Sequence, residues 1–262
     1  MRDGTKQGVR AGVVLAAALV WGGCGASLDD EAINTAADAV EGTSELNAFL
    51  SVAADPAGAM TTADAAAMAS GAGATARFFP VGCVTTMAQG ATVSYRFRGC
   101  TGPYGLVNVN GTLQATFSAR TANGWTVALT GDLSLNRSRV RPNAEARVRY
   151  EGANRIAEVT VMGGGTGPRG VSYENSGSYT SSWDGACFGL DGSIITAANG
   201  GRLTTSVSAY RRCRNECPQA GGSLSFTSSA GDTLRMVYRG GATAEVTGPR
   251  GATRTVALFC GR

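Results

Sequence analysis

Hydrophobic and polar positions change their period once along the chain, near Phe79. Before that point, Ile33, Ala36, Ala37, Val40 and Ala54 recur at roughly helical spacing in Ala-rich sequence. After it the period is two. In "ATVSYRFRG", Val93, Tyr95 and Phe97 alternate with Ser94, Arg96 and Arg98; "LVNVNGTLQATF", "WTVALTGDLSLN", "AEARVRYEG" and "RIAEVTVMG" continue the pattern. Turn residues interrupt these runs at intervals of about 8–12 positions, the signature of antiparallel strands joined by short turns. The prediction is an all-β fold: an antiparallel meandering sheet, sandwich or partly open barrel, with an N-terminal Ala-rich helical segment.

The helical segment itself divides in three. "SLDDEAINTAADAVEG" reads as a helix with acids in its first turn and Gly42 as its stop. A second helix is expected from about Glu45 to Ala54, and a third through "TTADAAAMAS", capped by Thr61 or Thr62. Helices this rich in Ala have narrow apolar faces and are marginal alone. They either space the β region from a membrane or dock on it.

Charge sharpens that division. Residues 25–76 carry eight acids and no Lys or Arg, whereas residues 80–262 carry 19 Arg against 10 acids. Acidic helices lying across an Arg-rich face of the sheet is one reading; separate solvation of the two segments is the other. The chain of 262 residues contains 38 Gly without a G-X-Y period, so it is not collagen. It has no His, and its one Lys is Lys6, which removes the commonest general base and metal ligand from any mechanism.

The first residues read as an address. Arg2, Lys6 and Arg10 precede the apolar run Ala11–Trp21, too short for the roughly 20 residues that span a bilayer. "WGGCGAS" follows, with small residues before Cys24. This stretch resembles the bacterial lipoprotein signal, with Trp21 standing where Leu is usual. The resemblance implies a leader over residues 1–23, lipidation of Cys24 and anchorage in the membrane. Gly25 after the Cys would permit transfer to the outer membrane. The alternative is a soluble periplasmic or secreted protein cleaved after Ala26. The expected organisation is therefore leader 1–23, acidic helical segment 24–79 and β domain 80–262.

With Cys24 set aside, an even six cysteines remain: Cys83, Cys100, Cys187, Cys213, Cys217 and Cys260. In an exported chain they read as disulfides. Six cysteines allow fifteen pairings; the preferred set, Cys83–Cys100, Cys187–Cys213 and Cys217–Cys260, closes loops compatible with adjacent strands. A zinc site built on the Cys213/Cys217 pair lacks a second close Cys or His pair.

Candidate chemistry is sparse. Gly165, Gly167 and Gly170 satisfy the dinucleotide-binding pattern G-x-G-x-x-G, but the following "VSYENSGSYTSSW" alternates like a strand, where that motif needs a helix. Thr-Gly-Pro-x-Gly also recurs at Thr101–Gly105 and Thr247–Gly251, so Gly167–Gly170 is expected to be a turn between antiparallel strands. Asp184 and Asp191, near Trp183 and Phe188, are the best local pair for glycoside chemistry, although Asp-Gly is an ordinary turn dipeptide. Arg137, Arg139, Arg141, Arg147 and Arg149 fall at period-two spacing and would form an anion-binding stripe on one face.

No catalytic, cofactor or metal site is expected. The reading is a non-enzymatic envelope lipoprotein that contacts anionic polysaccharide or lipopolysaccharide through Arg-rich strands, with no nucleic-acid partner. The alternatives are a carrier of a lipid or apolar ligand on a curved sheet, and a carbohydrate-active enzyme.

Overall fold

The computed structural model describes residues 30–121, 123–198, 200–213 and 216–258; the leader, Cys24 and Cys260 lie outside them. Two helices precede fourteen strands. Helix α1 spans Asp30–Ala54 and α2 spans Ala63–Arg77, with a 3₁₀ turn at Asp55–Ala59 between them. The strands are β1 Val84–Gln89, β2 Thr92–Cys100, β3 Val109–Thr121, β4 Gly124–Leu135, β5 Ser138–Arg141, β6 Asn143–Glu151 and β7 Asn154–Thr166. They continue as β8 Ser172–Trp183, β9 Cys187–Ala198, β10 Gly201–Cys213, β11 Ser223–Ser228, β12 Thr233–Tyr238, β13 Thr243–Thr247 and β14 Thr253–Ala257. All pair antiparallel in chain order, a meander as expected. Within that order, β5 and β6 are two parts of a row that both bridge β4 to β7. Pro142 lies between them, where a missing N–H breaks the ladder.

The sheet curls around α1 without closing into a clean barrel. The Tyr104 ring, in the β2–β3 connection, stands edge-on to Phe188 of β9 at 5.3 Å, bringing distant strands together. In β6 the inward positions alternate strictly: Ala144, Ala146 and Val148. From Ala37 to Ala54, α1 is buried on almost every side.

Here the structure departs from the expected helices. α1 is continuous through Gly42, and the two helices predicted on either side of that residue are one. A Cβ at position 42 would collide with the Tyr173 hydroxyl of β8. Gly42 thus serves close helix-to-sheet approach, not helix termination.

Polar partners on the sheet explain how so polar a helix can be core. The Asn47 side-chain amide donates to the Tyr179 hydroxyl at 3.1 Å, and Asn175 donates to Ala39 O and Thr43 Oγ1, each at 3.3 Å. At the helix end, the Tyr150 hydroxyl donates to Ala54 O at 2.5 Å and the Trp125 indole to Ala57 O at 2.9 Å. These two bonds tie the end of α1 and the 3₁₀ turn after it to the sheet. Thr62 caps α2, its hydroxyl accepting from Ala65 N at 3.2 Å, and Ser70 bonds the Tyr95 hydroxyl.

These contacts also fix direction. Asp38 meets the β7–β8 turn, Asn47 meets mid-β8, and Ala54 meets the far end of β6. α1 therefore enters at the end bearing the β4–β5 and β7–β8 turns, here called the entry end. α2 returns beside it: Phe78 packs on Phe49 and Phe97, and Phe79 bridges Thr101.

Candidate functional site

The sheet leaves a cleft of about 1040 Å³. One wall is the β2–β3 connection at Val107 and Asn108, the β4–β5 turn at Asn136 and Arg137, and Pro168. The other wall is Glu216–Ala220, Gly240–Ala242 and Leu258. The floor is α1, through Glu41 and Glu45. Of the cleft residues, only Arg137 and the disulfide candidate Cys217 stood out as candidates in the sequence. Their nearness comes from the sheet curling, which brings loops about a hundred positions apart against one helix face.

Glu45 is the unusual group. Its Oε1 accepts from Asn136 Nδ2 at 2.9 Å, and Asn136 in turn exchanges backbone and side-chain hydrogen bonds with Val107. Oε2 has no hydrogen-bond partner among the described residues, and neither does Arg212 Nη2. A small cavity of about 20 Å³ touches Glu45, Tyr210, Arg212 and Tyr238. That is the size of one water, with the polar partners a buried water needs. Burial pushes the Glu45 carboxyl up to about 8, against the pull of the Arg212 charge and the Asn136 hydrogen bond. Arg212 is itself buried and reaches Ser44 Oγ at 3.4 Å and Glu216 O at 3.2 Å.

One and two turns earlier on α1, Glu41 and Asp38 meet Arg169. The guanidinium lies 2.7 Å from Asp38 and 3.4 Å from Glu41, and also donates to Ala257 O at 2.8 Å. Asp38 Oδ2 further accepts from the backbone N–H of Arg169 and of Val171. Acids of the helical segment do pair with arginines of the β region, Asp38 and Glu41 with Arg169 of the β7–β8 turn and Asp55 with Arg155 of β7.

The turn carrying Arg169 is the G-x-G-x-x-G stretch. Gly170 N donates to Gly167 O at 2.9 Å and Gly167 N to Val171 O at 3.0 Å, closing a turn between β7 and β8. Gly248–Ala252 repeats both bonds, and Gly102 N to Leu106 O repeats the second. Gly163–Gly165 pair in register with Tyr173–Asn175. A Cβ on any of them would strike backbone of β8 or of the β5–β6 row.

The two candidate carboxylates serve the backbone. Asp184 Oδ1 accepts from the N–H of Ala186 and Cys187, and Oδ2 pairs with Arg211 at 3.0 Å. The Cys187 N–H, helped by Ala186 and Arg211, holds that carboxyl below the usual range. Asp191 accepts from Ala209 N at 2.8 Å, where β10 carries its register shift. Neither lines the cleft.

Arg139, Arg141, Arg147 and Arg149 share the outer face of β5 and β6, as the period implies. Carboxylates accompany them: Asp132 binds Arg139 through two bonds, Glu174 pairs with Arg141 at 2.9 Å, and Glu151 with Arg149 at 3.5 Å. Arg137 stands apart, in the β4–β5 turn on the cleft rim. Cys83–Cys100 and Cys187–Cys213 are disulfides; Cys217 is disulfide-bonded too, and the expected pair Cys217–Cys260 reaches outside the described residues. Disulfides of this kind accord with an extracytoplasmic location. Among the described residues no helix is long and apolar enough to cross a membrane. Comparison of the chain with protein-family models, curated proteins and solved structures finds no match.

Proposed function

We propose that this is an exported, lipid-anchored envelope protein with a binding role, and that its ligand is a segment of an envelope polysaccharide held in the cleft above Glu41 and Glu45. The cleft carries the reading. It is large enough for several sugar rings, and its rim mixes donors and acceptors, Asn108, Arg137, Glu216 and Gln219, with the apolar edges of Pro168, Pro218 and Leu258. Binding is favoured over glycoside hydrolysis because Glu45, in the floor, is buried, one oxygen bonded to Asn136 and the other without exposed surface. The outer Arg row is the weaker anion site, since a polyanion there has to displace Asp132, Glu174 and Glu151. A carrier of apolar ligands fares worse, because α1 fills the concave face that such a ligand needs.

Titration calorimetry with purified envelope polysaccharide fragments tests this. Arg137→Ala and Gln219→Ala should each weaken binding by about fivefold or more, with little effect from Arg139→Ala. Loss of binding in Arg139→Ala or Arg149→Ala with the rim variants unaffected would move the site to the outer face. Release of reducing sugar during the titration would establish catalysis instead. Mass spectrometry of the mature N-terminus tests the anchor: a lipid on Cys24 is expected, and an unmodified N-terminus near Ser27 overturns it.

A further inference from the structure

Most large apolar side chains are inside; of the exposed ones among the described residues, Met68, Met87, Met162 and Ile195 lie on helix or strand faces, whereas Phe79 and Val81 share one turn. Phe79 is 60 % exposed and Val81 is 90 % exposed, with Pro80 and Gly82 exposed between and after them. The tip Phe79–Gly82 joins α2 to β1. It is held at both ends: Phe79 exchanges two backbone hydrogen bonds with Thr101, and Cys83 is tied to Cys100. An exposed apolar turn fixed in this way is costly to leave in water, and rigid enough to enter another phase without reordering.

Beside the tip stand two exposed cations of β2. Arg98 N donates to Cys83 O at 2.9 Å, placing Arg98 next to the tip, and Arg96 follows two positions along the same outer face. Neither is ion-paired with a described residue, in contrast to Arg139, Arg141, Arg149 and Arg155 elsewhere on the sheet. The tip also sits at the entry end, where α1 begins. The backbone from Cys24 to Asp30 spans at most about 20 Å, so a lipid on Cys24 would keep that end against the bilayer.

From these three features we infer that Phe79–Val81 is a membrane-contacting tip that enters the interfacial layer of an anionic bilayer, with Arg98 and Arg96 on lipid phosphates. This inference rests on the lipid-anchor reading for its orientation, and on the tip itself for its chemistry. Apolar area provides insertion and each nearby Arg adds attraction to anionic headgroups. The cleft, at the same end, would then open close to the membrane surface.

Vesicle flotation of the exported chain carrying Cys24→Ala behind an ordinary secretion leader, so that no lipid is attached, isolates the tip. Binding is expected to vesicles of phosphatidylcholine mixed with phosphatidylglycerol, and weaker binding to phosphatidylcholine alone. Phe79→Ser/Val81→Ser should lower partitioning about tenfold, and Arg98→Gln about fivefold on anionic vesicles only. Val81→Asp provides a second variant at an open position, and circular dichroism identifies any variant that has lost its fold. Equal partitioning of all variants, or no flotation with either vesicle, overturns the tip. The N-terminal mass keeps the two readings separate: a lipid on Cys24 with no tip effect leaves the anchor standing and sinks the tip. Tip-dependent flotation with no lipid on Cys24 does the reverse.

Discussion

The Tyr173 hydroxyl lies directly over the backbone of Gly42, so that strand β8 and helix α1 approach as closely as a residue without a Cβ allows. Helix propensity alone says that Gly42→Ala stabilises, by about 1 kcal/mol. The contact says the opposite, because the added methyl must push β8 away or drive Tyr173 from its place, an overpacking cost of about 1–3 kcal/mol. Urea unfolding of Gly42→Ala should show a net loss of stability, partly recovered in Gly42→Ala/Tyr173→Phe. A gain of stability in the single variant would mean that α1 does not lie against Tyr173.

Glu45 should make stability depend on pH in an unusual direction. Its carboxyl is raised from 4.5 to about 8 in the fold. Between those values the folded protein keeps a proton that the unfolded chain releases, so stability falls as pH rises from about 4.5 to about 8. Glu45→Gln keeps the shape and removes the titration. Its stability should fall less steeply across that window and exceed that of the parent at pH 8, by up to about 4 kcal/mol. Parallel pH profiles for the two proteins would refute the assignment.

Arg169 holds a fully buried carboxylate. Replacing it with Met leaves Asp38 without its cation, and removing one partner of such a pair costs about 3–5 kcal/mol. Asp38→Asn combined with Arg169→Met should cost less than the sum of the two single changes. A double-mutant cycle by denaturation measures the coupling, and additivity would show that the pair does not interact.

Asp184 is expected to act on stability alone. Asp184→Asn loses charge-assisted bonds to two backbone N–H groups and the Arg211 pair, a cost of about 1 kcal/mol. Polysaccharide titration of this variant should match the parent, while its thermal midpoint falls. A loss of binding without a loss of stability would restore this aspartate as a site residue.

Elements with a strong local period were readable before any tertiary contact was known. The strands announce themselves because one face is buried and side chains alternate, as in β6, where Ala144, Ala146 and Val148 face in and Arg147 and Arg149 face out. Turn chemistry was equally local: Pro168 and Gly170 suit a tight turn whatever surrounds them, and the hydrogen bonds of Gly167–Gly170 follow. The pairs Cys83–Cys100 and Cys187–Cys213 lie on neighbouring strands, where loop length already pointed.

The core role of α1 was not readable, because its burial depends on partners supplied by distant strands. Asp38, Ser44, Glu45 and Asn47 look like solvated positions until Arg169, Tyr210, Arg212 and Tyr179 are brought to them. The same holds for Gly42, which local propensity reads as a stop and packing reads as a point of contact. The cleft belongs to this second group as well. Sequence by itself determined the strands, their faces and the turns, all of which rest on interactions between near neighbours. Only the tertiary structure decided which polar groups are buried, which arginines are already paired and where the sheet stays open, because those depend on how a long meander curls around one helix.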